Sequence, residues 1–75
     1  MAVATSSKRR FEYVGGTSNK FWSVTVQGPE VTVRYGRNGT DGQTLTKKFL
    51  NAAAAQQHAG KLILEKIAKG YIEVP

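Results

Sequence analysis

The stretch of sequence that decides the fold runs from residue 30 to residue 42 and reads EVTVRYGRNGTDG. In its first half Val31, Val33 and Tyr35 point to one side, while Thr32 and Arg34 point to the other. This period of two is typical of an antiparallel strand with one face buried and one face in water. Three glycines in the seven residues 36–42 then predict a turn that leads into the next strand. The stretch therefore indicates a hairpin within an antiparallel sheet.

Outward from this hairpin, three further segments have the composition and the bounding turns of strands. They are Arg9–Val14, Lys20–Gln27 and Gln43–Phe49. In the second segment Trp22 alternates with valines, so we expect it in the core and expect Phe21, on the opposite face, to be an exposed aromatic. In the last segment Lys47 shares a face with Leu45 and Phe49, a conflict that a bulge or an early end of the strand would relieve.

From Asn51 onward the period changes to that of a helix. Asn51 is a suitable N-cap for the alanine run that follows, and Gly70 stands where a left-handed C-cap is expected. His58 falls on the polar side of this helix and is expected in solvent. After Gly70 the chain is expected to return as a short extended segment. The apolar side of the predicted helix comprises Ala52, Ala55, Ala59, Leu62, Ile63, Leu64 and Ile67.

The order of these elements predicts an α+β fold, in which an antiparallel sheet of about four strands is covered on one face by a C-terminal helix. Small alanines on the helix would let it lie close to the sheet. The chain has 75 residues, enough for one domain, which we place at residues 8–75 after a flexible tail of residues 1–7. Because there is no cysteine, the core must be held by side-chain packing rather than by disulfides.

The charge of the chain indicates an anionic partner. Eleven Lys and Arg residues stand against five Asp and Glu residues, and eight of the basic residues precede residue 51. An uneven basic surface favours a polyanion such as nucleic acid, although a small basic domain can also be merely soluble. No apolar run approaches the roughly 20 residues that cross a bilayer, so we expect no membrane partner. We expect a cytoplasmic monomer, a location compatible with association with the nucleoid.

The residue pattern gives no support to catalysis. The five carboxylates lie in different predicted elements, so no pair is placed for acid–base chemistry. A single histidine cannot form a zinc site, which needs three or four protein ligands. We therefore expect a protein that is not an enzyme and that uses neither a cofactor nor a metal.

The glycine-rich loop after Tyr35 is the most unusual part of the chain. Gly36, Gly39 and Gly42 would let another backbone approach closely. Arg37 offers a planar fork for phosphate, and Tyr35 offers a flat face for stacking. The alternative is a plain hairpin connection whose arginine serves solubility.

The tripeptide Tyr35-Gly36-Arg37 resembles the signature of the WGR domain family, a strand that ends in Trp-Gly-Arg before a glycine-containing turn. Two more segments agree: Asn19–Trp22 is similar to the family's second strand, and Glu65–Tyr71 is similar to its closing Lys-x-x-Gly-Tyr. The resemblance covers roughly residues 8–73 and is nearest to bacterial members that consist of this domain alone.

The resemblance implies an antiparallel sheet with one flanking helix and, as in eukaryotic poly(ADP-ribose) polymerases, binding at DNA breaks. There the aromatic residue of the motif packs on the terminal nucleotide and the arginine bridges DNA and protein, roles that would fall on Tyr35 and Arg37. Tyrosine in place of tryptophan offers less area for stacking and adds a hydroxyl group that needs a hydrogen-bond partner. Both differences favour a weaker contact with the nucleotide. Poly(ADP-ribosyl) transfer is not implied.

Two functions follow from these observations. The first is non-catalytic binding of DNA with little sequence specificity. The second is a protein–protein interaction through the Tyr35–Arg37 edge and the glycine-rich loop. The candidate nucleic-acid-binding residues are Tyr35, Gly36, Arg37, Asn38, Gly39, Arg34, Lys20, Lys47, Lys48, Arg9 and Arg10.

Overall fold

A computed structural model describes residues 6–75, in which one antiparallel sheet carries a single helix across one face. The strands follow the spatial order β4-β3-β2-β1-β5, and each described neighbouring pair is antiparallel. The predicted α+β fold is confirmed, with one strand more than expected because the segment after the helix pairs with β1. The elements are β1 (Ser6–Gly15), β2 (Ser18–Gln27), β3 (Glu30–Arg37), β4 (Gln43–Lys48), α1 (Ala52–Ala68) and β5 (Ile72–Val74).

The first strand is longer than the alternation indicated. β1 begins at Ser6 rather than Arg9, and its backbone pairs with β2 from Ser6 opposite Gln27 to Gly15 opposite Ser18. The predicted tail therefore includes two residues that belong to the sheet. The rest of that tail, residues 1–5, lies outside the described residues.

The core lies between the helix and one face of the sheet. Phe11 is fully buried and its ring centroid lies 5.7 Å from that of Trp22, which confirms the predicted place of Trp22 in the core. On the other side of the core, α1 contributes the small side chains of Ala55 and Ala59, which let the helix approach the sheet closely. Burying a side chain as large as Phe11 stabilises the fold by about 1.5–3 kcal/mol.

Both ends of α1 are capped as predicted. The side chain of Asn51 accepts a hydrogen bond of 2.8 Å from the backbone N–H of Ala54. At the other end Gly70 has a φ of +103°, and the N–H of Tyr71 donates to the carbonyl of Lys66 over 3.0 Å. This C-cap turns the chain back toward the sheet, which brings Tyr71 to within 5.6 Å of Tyr13, measured between ring centroids.

The apolar side of α1 is narrower than predicted. Leu64 and Ile67 were expected on the sheet side, but they are 69% and 51% exposed. The sheet is met by one stripe of the helix, formed by Ala55, Ala59 and Ile63, and a broader apolar arc has nothing to cover it. His58 also differs from expectation: it is half-buried, with its ring 4.7 Å from that of Phe49.

The helix packs on β2 and β3 and leaves β4 largely uncovered. Leu45 is 59% exposed, although it lies on the helix side of the sheet. Lys47 on the same side is exposed, and its ammonium group lies 5.5 Å from the ring centroid of Phe49. The expected conflict at Lys47 therefore does not arise, because this part of the sheet faces water.

Candidate nucleic-acid interface

The glycine-rich loop folds back over the face of the sheet that the helix leaves bare. Phe21 lies beneath it and is only 3% exposed, so the prediction of an exposed aromatic at this position is wrong. A Cβ atom on Gly36 would lie 2.7 Å from the Cα atom of Gly42. A Cβ atom on Gly42 would lie 2.8 Å from Cζ of Phe21. The glycines do permit a close backbone approach, but the approaching backbone is the protein's own.

Arg34 holds this loop in place. Its Nε donates to the carbonyl oxygen of Asp41 over 2.6 Å, and its Nη2 lies 3.3 Å from Oδ1 of the same residue. Within the loop, the Thr40 hydroxyl donates to the carbonyl of Arg37 over 2.7 Å. Arg34 was a candidate for phosphate contacts, yet here its guanidinium is engaged by the protein itself.

Arg10 has a similar structural role on the same bare face. Its guanidinium lies 4.5 Å from the ring centroid of Phe21 and donates to Oδ1 of Asn38 over 3.1 Å. It also lies 3.3 Å from a carboxylate oxygen of Glu12. The amide of Asn38 in turn donates to Asn19 on β2 over 2.5 Å. Arg10 and Asn38 thus tie the start of the loop to the sheet.

A groove opens on the helix side of the sheet, where the start of β2 and the end of β3 lie beside the C-terminal half of α1. Pairing of β2 with β3 sets Lys20 opposite Arg37 and Trp22 opposite Tyr35. Because side chains alternate along a strand, all four belong to the helix side of the sheet. We name this feature the cationic groove; its lining includes Lys20, Trp22, Tyr35, Arg37, Lys66 and Tyr71, together with one carboxylate, that of Glu65.

Two ammonium groups of the cationic groove lie over aromatic rings. Nζ of Lys20 lies 5.4 Å from the ring centroid of Tyr13 and 5.9 Å from that of Tyr71. Nζ of Lys66 lies 5.4 Å from the centroid of Tyr71 and 5.5 Å from that of Trp22. An ammonium group is attracted to the negative face of an aromatic ring, so these rings hold both lysine side chains in the groove.

The positive charge in the cationic groove is not neutralised by ion pairs. Burial lowers the pKa of Lys66, and the nearby charges of Lys69 and Lys20 lower it further, while Glu65, which also lines the groove, acts in the opposite direction. Among residues 8–75 the ion pairs join Arg9 to Glu73, Arg10 to Glu12 and Arg34 to Asp41. Lys20, Arg37 and Lys66 belong to none of them. The groove is therefore a place where an anion would relieve repulsion between like charges.

Tyr35 stands at the mouth of the groove. Its side chain is 37% exposed, and its hydroxyl donates to Oε1 of Gln43 over 3.1 Å. Gln43 is directly opposite Tyr35 in the pairing of β3 with β4. The hydroxyl that tyrosine adds to the motif thus has a hydrogen-bond partner within the sheet. This bond holds the ring near the C-terminal end of β3.

The structure separates the residues that the sequence grouped as candidates. Lys20, Tyr35, Gly36 and Arg37 meet at the cationic groove, and Asn38 and Gly39 lie in the adjoining loop. Arg10, Arg34 and Lys48 belong to the bare face, and Lys47 lies at the uncovered part of β4. Arg9 lies on the helix side of β1, is not among the residues that line the groove, and pairs with Glu73 of β5 through bonds of 2.8 and 2.6 Å.

Besides Trp22, which was expected in the core, the groove contains a cation and an aromatic residue that were not among the candidates, Lys66 and Tyr71. Lys66 belongs to α1. Because it borders the apolar side of the helix, the sequence predicted only that its aliphatic stem packs there and its ammonium group reaches solvent. Tyr71 follows the C-cap of the helix. The one signal for them was the closing run Lys66–Tyr71, since a lysine near the helix end followed by Gly-Tyr sets both beside the sheet.

Within the described part of the chain, no group of three His, Cys, Asp or Glu side chains is placed to hold a metal ion. None of the described helical segments is long and apolar enough to cross a membrane.

The fold and groove define a small α+β binding domain, and comparison with known proteins identifies its family. The family model of the WGR domain matches residues 7–75, and the chain belongs to the WGR domain family. In proteins related to poly(ADP-ribose) polymerases this family is associated with nucleic-acid binding. It is a binding domain, and no catalytic activity is indicated by the relatives.

Three similar proteins are longer than this chain. A crystal structure of a Bacteroides fragilis protein matches with a TM-score of 0.90 and 51% identity, over 92% of this chain and 20% of that one. The uncharacterized Escherichia coli K12 protein YfeS is 43% identical over 68 residues, which are 91% of this chain and 28% of YfeS. Protein YehF of the same organism is 46% identical over 65 residues, 87% of this chain and 24% of YehF. The chain thus spans about a quarter of the length of the curated relatives it matches.

Proposed function

We propose that the protein binds DNA at breaks or ends through the cationic groove, without catalysis. The observation that carries the proposal is the convergence of Lys20, Arg37 and Lys66, none of them ion-paired within the described residues, on a groove walled by aromatic rings. Phosphates are the ligands that such cations favour, and bases or sugars are the groups that stack on aromatic rings.

Four residues of the cationic groove contact the DNA in this proposal. The guanidinium of Arg37 contacts a backbone phosphate in its plane. The ammonium groups of Lys20 and Lys66 neutralise phosphate as point charges, and a bound anion offsets the repulsion between them. Tyr35 packs its open ring against the terminal sugar or base. Stacking of this kind contributes about 1–3 kcal/mol per base, and tyrosine belongs near the lower value because of its smaller area.

The proposed contact reads little sequence. Direct readout needs side chains that reach base edges, most often arginine, asparagine or glutamine from an element in the major groove. The cationic groove lies between α1 and the sheet, so it presents no protruding helix. Binding is therefore set by phosphate geometry and by access to an exposed end.

Fluorescence anisotropy with labelled nicked, blunt and single-stranded DNA at several salt concentrations tests the proposal. Three phosphate contacts predict that log K falls with log salt at a slope of about −2.7, or about 0.9 for each contact on a duplex. Arg37→Ala should weaken binding and reduce this slope by about 0.9. The matched control is Arg9→Ala, which removes the same charge from a part of β1 outside the groove and should change binding much less.

Three results would contradict the proposal. They are the absence of binding at low salt, binding that does not depend on salt, and equal losses for Arg37→Ala and Arg9→Ala. The last result would mean that net charge alone attracts DNA. If Arg37→Ala disrupts a protein complex and leaves DNA titrations unchanged, the Tyr35–Arg37 edge serves protein interaction instead.

A further inference from the structure

The outer edge of β4 is a row of backbone groups without partners in the described structure. β4 is the last strand of the sheet and all six of its residues are exposed. Apart from its pairing with β3, no backbone group of Gln43–Lys48 takes part in a hydrogen bond among the described residues. The opposite edge differs, because β5 has only three residues and Pro75 follows it. An edge strand without proline whose backbone groups are open is a template for a further strand.

An apolar groove runs beside this edge, between β4 and α1. It is lined in part by Val33, Leu45, Leu62 and His58. Leu45 is 59% exposed because the helix covers β2 and β3 and stops short of β4. A strand added beyond β4 would set alternate side chains on the helix side of the sheet, where an aliphatic one would cover Leu45.

Charge selects the kind of strand that fits. β4 contains no acidic residue and ends in Lys47 and Lys48, which point to opposite faces because they are adjacent. Neither lysine forms an ion pair within the described part of the chain. A second copy would bring another chain of net charge +6 against the first. A strand with carboxylates on both faces would instead meet a lysine on each.

We propose that β4 receives an extended acidic segment of another protein as a sixth strand of the sheet, with an aliphatic side chain against Leu45 and carboxylates beside Lys47 and Lys48. Backbone hydrogen bonds supply affinity in this mode of recognition, and side chains supply specificity. A protein occupant agrees with the relatives, where the matched region is less than a third of the chain and has other polypeptide around it. This surface adjoins the cationic groove proposed for DNA and shares Val33, Leu45 and Leu62 with it, while the backbone edge of β4 and Lys48 belong to this surface alone.

The test is an NMR titration of the isotope-labelled protein with a peptide of about eight residues that contains the run Glu-Glu-Thr-Val. In an antiparallel sixth strand its adjacent glutamates lie on opposite faces beside Lys48 and Lys47, and its valine lies on the same face as Leu45. We expect saturable shifts at the amides of residues 43–48, slower amide exchange there, and no response to a peptide with lysine in place of glutamate. Leu45→Asp should weaken binding about tenfold or more, because it removes the apolar contact and repels the carboxylates. The control is Leu64→Asp, which adds the same charge at an exposed leucine of α1 and should change affinity by less than about twofold.

Several outcomes would overturn the proposal. They are no saturation up to about 1 mM peptide, shifts centred on the cationic groove, and equal losses for the two aspartate variants. Sedimentation that shows a dimer with residues 43–48 protected would assign the edge to a second copy. Displacement of the peptide by nicked DNA that shifts residues 43–48 would assign it to nucleic acid. If Leu45→Asp fails to fold, reversing the charges of Lys47 and Lys48 together repeats the test, with Lys61 and Lys69 as the control pair.

Discussion

Replacing Gly42 by alanine tests whether the close packing of the loop on the bare face holds the Tyr35–Arg37 hairpin together. Gly42 has a φ of +71°, and an added Cβ would lie 2.8 Å from Cζ of Phe21 and closer still to the carbonyl oxygen of Tyr35. A left-handed backbone costs a residue with a Cβ about 1–2 kcal/mol. Overpacking against atoms that cannot move aside adds about 1–3 kcal/mol. We therefore expect Gly42→Ala to lower the free energy of unfolding by about 2–5 kcal/mol.

That loss is a large part of the total, since a domain of this size has a stability of about 4–11 kcal/mol at roughly 0.05–0.15 kcal/mol per residue. Gly39→Ala is the matched control: Gly39 has a φ of +90° in the same loop, but an added Cβ would meet nothing within 4 Å. The difference between the two variants isolates the steric part. Urea denaturation measures both, and a difference of 1 kcal/mol separates the melting temperatures by about 4–8 °C. Equal losses would refute the claim that the backbone of Gly42 is packed tightly against β3 and Phe21.

Three further predictions concern the loop, the helix and the ion pair at the β1–β5 edge. Phe21→Ala should cost about 3–5 kcal/mol, as for a buried core aromatic, and should speed amide exchange in residues 38–42, whereas an exposed Phe21 would give a small change in both. Asn51→Ala should cost about 1 kcal/mol in thermal unfolding because the N–H of Ala54 loses its partner, and Asn51→Ser should restore most of the loss. The ion pair with Arg9 lowers the pKa of Glu73 from its ordinary 4.5. Its contribution is therefore complete above that pH and is lost as the pH falls below it, so Glu73→Gln should flatten the stability profile in this acidic range. An acid profile unchanged by Glu73→Gln would show that the pair contributes nothing to folding.

Much of the fold was present in local patterns. The alternation in residues 31–35, the change of period at Asn51 and the glycine at position 70 predicted the strands, the start of the helix and its end. These signals are local because backbone preference and burial of one face are properties of neighbouring residues. These signals failed where the burial of a side chain depended on whether another element of the fold lies over it. Leu64 and Ile67 are apolar and exposed because the sheet meets only one stripe of α1.

The candidate site shows the same division. Tyr35 and Arg37 could be found from the sequence, since the strand, the glycine turn and the resemblance to the WGR domain all mark them. Composition also indicated that the chain carries excess positive charge. None of these signals could distinguish a Lys or Arg side chain that is paired within the protein from one that is not. An ion pair depends on which residues meet in space.

What the sequence determined by itself was the α+β fold and the strand edge that carries Tyr35-Gly36-Arg37, because both depend on periodicity and turn residues within short windows. Only the tertiary structure decided which Lys and Arg side chains contact other groups of the protein and which line the groove. Folding of the loop across Phe21 engages Arg10 and Arg34 on the bare face. The C-cap of α1 brings Lys66 and Tyr71 beside Lys20. Lys20 is more than forty residues from Lys66 and Tyr71 in the chain, so the cationic groove exists only once the helix lies across the sheet.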